Sequence, residues 1–180
     1  MTSPSLHNSI RKVCALVAAT LILPALASLS FSAQAAEKKK IMGHNKHEPP
    51  ISRTVVSLGD DPKHELVVLE ISRLTTTSSD PDWNETEQIV YEQDDQVAGT
   101  GTHRAYFRRL SKNGETDYGS YAGMHKTSVK EDGSWEKTWE GKWKTHGGTG
   151  KFKNIKGSGT ARGKATAQEA FTEWEGEVEY

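Results

Sequence analysis

The sequence predicts an all-β domain, a closed antiparallel barrel of about eight strands. Three observations lead to it. From Ile51 onward the hydrophobic period is two rather than 3.6, as in "HELVVLEISRL". "KNG" (112–114) and "EDG" (131–133) interrupt long alternating segments, which is the chemistry of tight hairpin turns. No stretch of ten or more residues reads as an amphipathic helix. Closure is favoured over an open sheet because it leaves no unpaired edge strand.

Taken in order, residues 1–35 read as a cleaved secretory signal. Arg11 and Lys12 precede an apolar run from Val13 to about Leu29, and Ala33-Gln34-Ala35 supplies a small-residue cleavage site. The run is nearly long enough for a transmembrane anchor, but Pro24 and the many Ala and Ser residues argue for cleavage. The expected location is therefore secreted or periplasmic, with no membrane attachment after cleavage. Cys14 leaves with the signal, so the mature chain has no disulfide and relies on its core. Residues 36–50, ending in Pro49-Pro50, lack periodicity and read as a solvated, disordered leader. A mobile tail gives His44 and His47 no fixed geometry for a metal.

The barrel domain is expected over 51–180. "SRTVVSL" and "HELVVLEISRL" are strands on either side of the turn "GDDPK"; "TTTSSDPDWNETE" (75–87) is a polar loop, and "QIVYEQ" a short strand. Three long strands follow, "TGTHRAYFRRLS", "TDYGSYAGMHKTSV" and "SWEKTWEGKWKTH", and the alternating "GTARGKATA" and "FTEWEGEVEY" close the chain.

The two glycine turns fix which side chains share a face. Three-residue turns with a left-handed glycine place Ser111 opposite Glu115 and Lys130 opposite Ser134. His103 then faces Gly123, Phe107 faces Gly119, His125 faces Trp139 and Tyr121 faces Trp143. One face gathers His103, Ala105, Phe107, Tyr121, Gly123, His125, Val129, Trp135, Trp139 and Trp143; the other gathers Arg104, Arg108, Lys126, Glu136, Glu140, Lys142 and Lys144. Two-residue turns would put Val129 on the charged face, and the cleaner segregation favours the first register.

His103 and His125 are the candidate catalytic residues on the inward face, because imidazole exchanges protons near neutral pH; the alternative is a pair of hydrogen-bonded core histidines. Phe107, Tyr121, Trp135, Trp139 and Trp143 are the candidate ligand-binding wall, with core filling or an outward sugar-stacking platform as the alternatives. Tyr91, Tyr106, Tyr118 and Tyr121, with Arg104, Arg108 and Arg109, offer a further anchor for an anionic or carbonyl group, against ordinary strand packing. No zinc-type spacing ties His64, His146 or Glu65 to this face, so neither metal nor cofactor is expected. A Gly-x-Ser-x-Gly nucleophile elbow is absent. Without Arg11 and Lys12 the chain has 21 basic and 24 acidic residues, a net charge of −3, which does not suit a nucleic-acid partner.

The glycine-rich stretch "THGGTGKFKNIKGSGTARG" (145–163) fails both nucleotide patterns. A phosphate loop would need glycine at Thr145 and Ser or Thr at Phe152; a dinucleotide fingerprint would need glycine at Arg162. The stretch reads instead as a strand end, an irregular turn that buries Phe152 and Ile155, and a new strand. "GGTGKFKNIKGSG" resembles the glycine-rich segment of the allene oxide cyclase and dirigent superfamily, and the order of long hairpin strands extends the likeness loosely over 52–180. The resemblance implies an eight-stranded antiparallel barrel with a central cavity for a lipophilic or phenolic guest, and homo-oligomers, commonly trimers. Known members cyclise a fatty-acid epoxide or steer phenoxy-radical coupling. Their catalytic residues have no match here, so the likeness bears on fold rather than function.

The expected function is a secreted, cofactor-free barrel that binds a small apolar or aromatic molecule and guides an isomerase-, cyclase- or lyase-type step by confinement. A non-catalytic carrier of the same guest and a carbohydrate- or protein-binding module with a surface tryptophan row are the other readings.

Overall fold

A computed structural model describes residues 38–180; the signal expected over 1–35 lies outside the described residues. The described residues form nine strands: β1 (Lys39–His47), β2 (Ser52–Ser57), β3 (His64–Ser78), β4 (Thr86–Val97), β5 (Thr100–Leu110), β6 (Thr116–Val129), β7 (Trp135–Gly148), β8 (Lys156–Ala165) and β9 (Ala170–Glu179). All pair antiparallel in one sheet ordered β1-β9-β8-β7-β6-β5-β4-β3-β2, and β1 also pairs with β3, so the sheet closes into a ring. The closure is divided along β3. Its C-terminal half, Leu74–Ser78, carries β1, while Glu65–Ile71 carries β2. Pro49 and Pro50 lack the N–H that a ladder needs, and there the chain leaves β9 and continues beside β3 alone.

The hairpin turns behave as their chemistry requires. Gly114 and Gly133 take left-handed φ angles of 84° and 80°, and the Ser111 and Lys130 N–H groups donate to Glu115 and Ser134 carbonyls. The counted register holds along both hairpins: His103 faces Gly123, Phe107 faces Gly119, His125 faces Trp139 and Tyr121 faces Trp143.

Three expectations need correction. Residues 39–47 are not a solvated leader but strand β1, with Ile41 and Asn45 buried. Its inward positions are Ile41, Gly43, Asn45 and His47, a set with a single large apolar residue, so the alternation carries almost no hydrophobic signal. Residues 75–87 are not simply a polar loop: β3 runs through Ser78, and the 79–85 loop folds Trp83 inward to 1% exposure. The strand read as "QIVYEQ" extends from Thr86 to Val97, because inward Gln88, Asp94 and Gln96 replace the apolar residues that would have marked it.

The 79–85 loop closes one end of the ring. Trp83 meets Trp143 and Trp174 with ring centroids 6.0 and 5.5 Å away, and Phe152 and Ile155 are buried in the same cluster. A 3-10 turn at Gly150–Phe152 delivers Phe152, and Lys151 within it pairs with Asp82 of the closing loop. Asp80, fully buried, accepts from the Tyr180 hydroxyl at 2.7 Å and pairs with Lys39 at 3.3 Å, tying both sheet termini to the loop. The glycine-rich stretch thus builds a corner and one side of the closed end.

Candidate active site

Inward positions run across the strands in rows. One row reads Arg53, Glu70, Glu92, Ala105, Tyr121, Trp143, Gly159. The next towards the open end reads Asp94, His103, Gly123, Gly141, Ala161, Trp174, Gly43. Large rings alternate with glycine and alanine, and the rings lie flat over the glycines of neighbouring strands. A Cβ on Gly119 would stand 2.0 Å from Phe107, on Gly163 2.1 Å from Trp139, and on Gly43 2.1 Å from Trp174. Because the aromatics lie against the wall, the axis stays open. The result is a cavity of about 680 Å³, within the size range of small-molecule sites.

The cavity has three zones. Its floor, against the closed end, is Leu74, Trp83, Val90, Phe107, Trp143 and Trp174, with Arg109 among them. Its mouth is framed by the 48–50 segment, Arg53, Trp135, Lys137 and the 165–170 turn. Between them stands a polar band of His47, Glu92, His103 and Tyr121.

His103 is the centre of that band. Its Nδ1 lies 2.6 Å from Asp94 Oδ1, and both side chains are more than nine-tenths buried. A carboxylate that accepts from Nδ1–H leaves Nε2 as the basic nitrogen, and Nε2 makes no bond to a described residue where His103 lines the cavity. Asp94 also takes the Lys137 ammonium on Oδ2 at 3.1 Å. Burial works against the Asp94 charge, yet the His103 hydrogen bond and Lys137 outweigh it and hold the carboxyl down at about 2. The carboxylate therefore stays ionised throughout the physiological range and fixes the imidazole's orientation.

Glu92 behaves oppositely. It faces Glu70 on one side and Ala105 on the other, and Glu70 is already engaged by Arg53 at 2.9 Å. Burial pushes the Glu92 carboxyl up to about 7, with Glu70 and Asp94 adding to the rise against His103 and Lys137. Glu92 and His103 are diagonal neighbours on adjacent strands, a separation of about 7–8 Å that long side chains bridge. At neutral pH a carboxyl that is about half protonated thus shares one cavity wall with the His103 imidazole.

His125 sits one row further, in the wall rather than on the cavity surface. Its Nε2 lies 2.9 Å from Gln96 Oε1, and the Gln96 amide N–H in turn donates to Glu65 at 2.9 Å, which makes Nε2 the protonated nitrogen. Burial first, then Lys137, lowers His125 to about 4. His47, 2.8 Å from the Thr172 hydroxyl, is also lowered to about 4, by burial and then by His103 and His44. His44 is exposed and stacks on Phe171.

Asp94, His103 and His125 each offer one ligand atom within 4.8 Å of the others. Asp94 is the third ligand that sequence spacing did not supply. Both of its oxygens are engaged, by the His103 N–H and by Lys137, so a cation here must displace a proton and an ammonium.

Of the residues singled out from sequence, His103, Phe107, Tyr121, Trp135, Trp139 and Trp143 line the cavity together; His125 does not. Trp143 is buried and Trp139 points inward to donate to Thr172 at 3.2 Å, so the three tryptophans do not form an outward row. Tyr91, Tyr106 and Tyr118 are exposed, whereas Arg109 is buried at the floor. Sequence reading missed Asp94, Glu92 and Lys137, and set His47 aside as part of a mobile tail that is in fact strand β1. One signal was available for Asp94: in "QVAGT" the pair Ala98-Gly99 forms a two-residue turn, and counting back from Val97 and Thr100 pairs Asp94 with His103. No family model matches the chain, and no curated protein compared with it matches significantly.

Proposed function

We propose that the chain is an exported cavity enzyme, a barrel of the allene oxide cyclase and dirigent kind, that moves a proton within a small apolar or aromatic molecule. The observation that carries this reading is the 2.6 Å His103–Asp94 contact, with Nε2 turned to a cavity of about 680 Å³. His103 Nε2 takes a proton from an acidified carbon of the guest, and ionised Asp94 stabilises the imidazolium. Glu92, about half protonated at neutral pH, delivers its proton in that form to the other end of the delocalised system. Return of the imidazolium proton to the Glu92 carboxylate resets the site, so the net change is an isomerisation that consumes no co-reactant. The aromatic wall holds the guest and excludes water.

The test uses 5-nitrobenzisoxazole, whose ring opens on loss of one carbon-bound proton and releases a coloured phenolate. Wild-type protein is expected to open it with saturation kinetics. His103→Ala is expected to lower the rate by about 10²-fold or more, the usual range for a general base, and Asp94→Asn to lower it as well. Equal rates in wild type and His103→Ala would overturn the proposal. Retained binding with no turnover in the wild type would leave a carrier of the same guest.

A further inference from the structure

The floor of the cavity holds a group that proton transfer does not use. Arg109 is 5% exposed, and its guanidinium lies 3.6 Å above the Trp83 ring, with Phe107 and Trp174 at 5.6 and 5.8 Å. It makes no hydrogen bond to a described residue. Nε and Nη1 are sealed without partners, while Nη2, also without a partner among the described residues, is not sealed where the side chain borders the cavity. Its register neighbours are Gln88 on β4 and Asp117 on β6. Asp117 is 3.9 Å from Nε, beyond hydrogen-bond reach, and its own Oδ2 is orphaned. Gln88 Oε1 and Trp83 Nε1, both on cavity-lining residues, are orphaned too. Unsatisfied polar atoms gathered at one end of a cavity are costly, and here the unused donors outnumber the acceptors.

We propose that Arg109 is the anchor for the carboxylate of an organic monocarboxylic acid, which enters the cavity acid end first. The inference rests on the cavity reading given above and names the class of guest. The chemistry selects a monocarboxylate for two reasons. Guanidinium matches carboxylate geometry and forms charge-assisted hydrogen bonds, and the rings and aliphatic side chains around it demand a carbon body. Asp117 beside Arg109 and Asp80 nearby limit how much negative charge the floor accepts, which favours a monoanion over a dianion such as phosphate. With the acid on Arg109, the carbon body passes Val90 and Phe107 and extends towards His103.

The test compares 4-phenylbutyrate with 4-phenylbutanol, which differ only in the anchor, by calorimetry and tryptophan fluorescence on the full chain. Wild-type protein is expected to bind the acid at least tenfold more tightly than the alcohol. Arg109→Met is expected to abolish that preference, lowering the acid's affinity at least tenfold more than the alcohol's. Where Arg109→Met fails to fold, the ¹⁵N resonances of the Arg109 side chain in wild-type protein are expected to shift with the acid and stay fixed with the alcohol. Equal affinity for acid and alcohol overturns the anchor and leaves the cavity reading standing. Binding of neither overturns both, and inorganic phosphate binding as tightly as the acid overturns the assignment to an organic guest.

Discussion

Ala98 shows how a single residue can work against its fold. The β4–β5 turn places it at φ 51° and Gly99 at φ 76°, the two left-handed positions of a tight hairpin turn. Alanine pays a steric cost there that glycine does not, about 1 kcal/mol. Ala98→Gly is therefore expected to raise the thermal midpoint by a few degrees, read by calorimetry, and no gain would refute the strain. The same residue explains part of what could not be read. "VAGT" lacks the Asn-Gly or Asp-Gly of "KNG" and "EDG", so the turn went unnoticed, and the Asp94–His103 pairing that follows from it went with it. Gly163 carries the opposite lesson. Its Cβ would meet the Trp139 indole at 2.1 to 2.3 Å, so Gly163→Ala must push a rigid ring off the wall. The expected loss is about 1–3 kcal/mol, accompanied by a change in Trp139 fluorescence as the indole enters the cavity; unchanged stability and emission would show that the wall is not tightly packed.

At the level of elements, alternation was legible where inward residues are large and apolar and lost where they are polar or small. Strands β5, β6 and β7 carry Phe107, Tyr121 and three tryptophans on one face and are joined by two counted turns, so their register could be derived from spacing alone. Strand β4 turns Gln88, Glu92, Asp94 and Gln96 to the interior, and β1 turns in Gly43, Asn45 and His47. Those positions were hidden because the interior is built to hold a polar band rather than a dry core. The functional residues missed from sequence lie largely on these strands. Strand β8, read from sequence as the new strand after the irregular turn, has Gly157, Gly159, Ala161 and Gly163 on its inward face, and Gly159 and Gly163 are the space into which Trp143 and Trp139 lie down. Trp83 was obscured differently: a loop rich in Ser, Thr and Asp has no period to betray that one of its residues closes the ring.

For the molecule as a whole, the polar band and the wall behind it make stability depend on pH through opposing terms. His47 and His125 have folded values near 4 against an ordinary 6.5. Between those limits the unfolded chain binds more protons than the native one, so stability falls as pH falls from about 6.5 to 4. Glu92 works the other way. Its native value near 7 exceeds the ordinary 4.5, so the native state retains a proton that the unfolded chain releases, and stability falls as pH rises from about 4.5 to 7. Asp94, held at about 2, gives up its contribution only below its ordinary value of 3.8. Two histidines oppose Glu92 across nearly the same window, and Asp117, whose carboxyl burial also pushes up, acts in the same direction as Glu92, so the terms offset one another. Glu92→Gln separates the terms. At pH 8 it removes an ionised carboxylate from a poorly solvated wall and is expected to stabilise the protein by about 1–3 kcal/mol. At pH 4, where the glutamate is already neutral, variant and wild type should melt together. Thermal midpoints of both proteins, measured from pH 4 to pH 8, should therefore diverge steadily with rising pH. A constant offset would mean that Glu92 is not the group whose proton the native cavity retains.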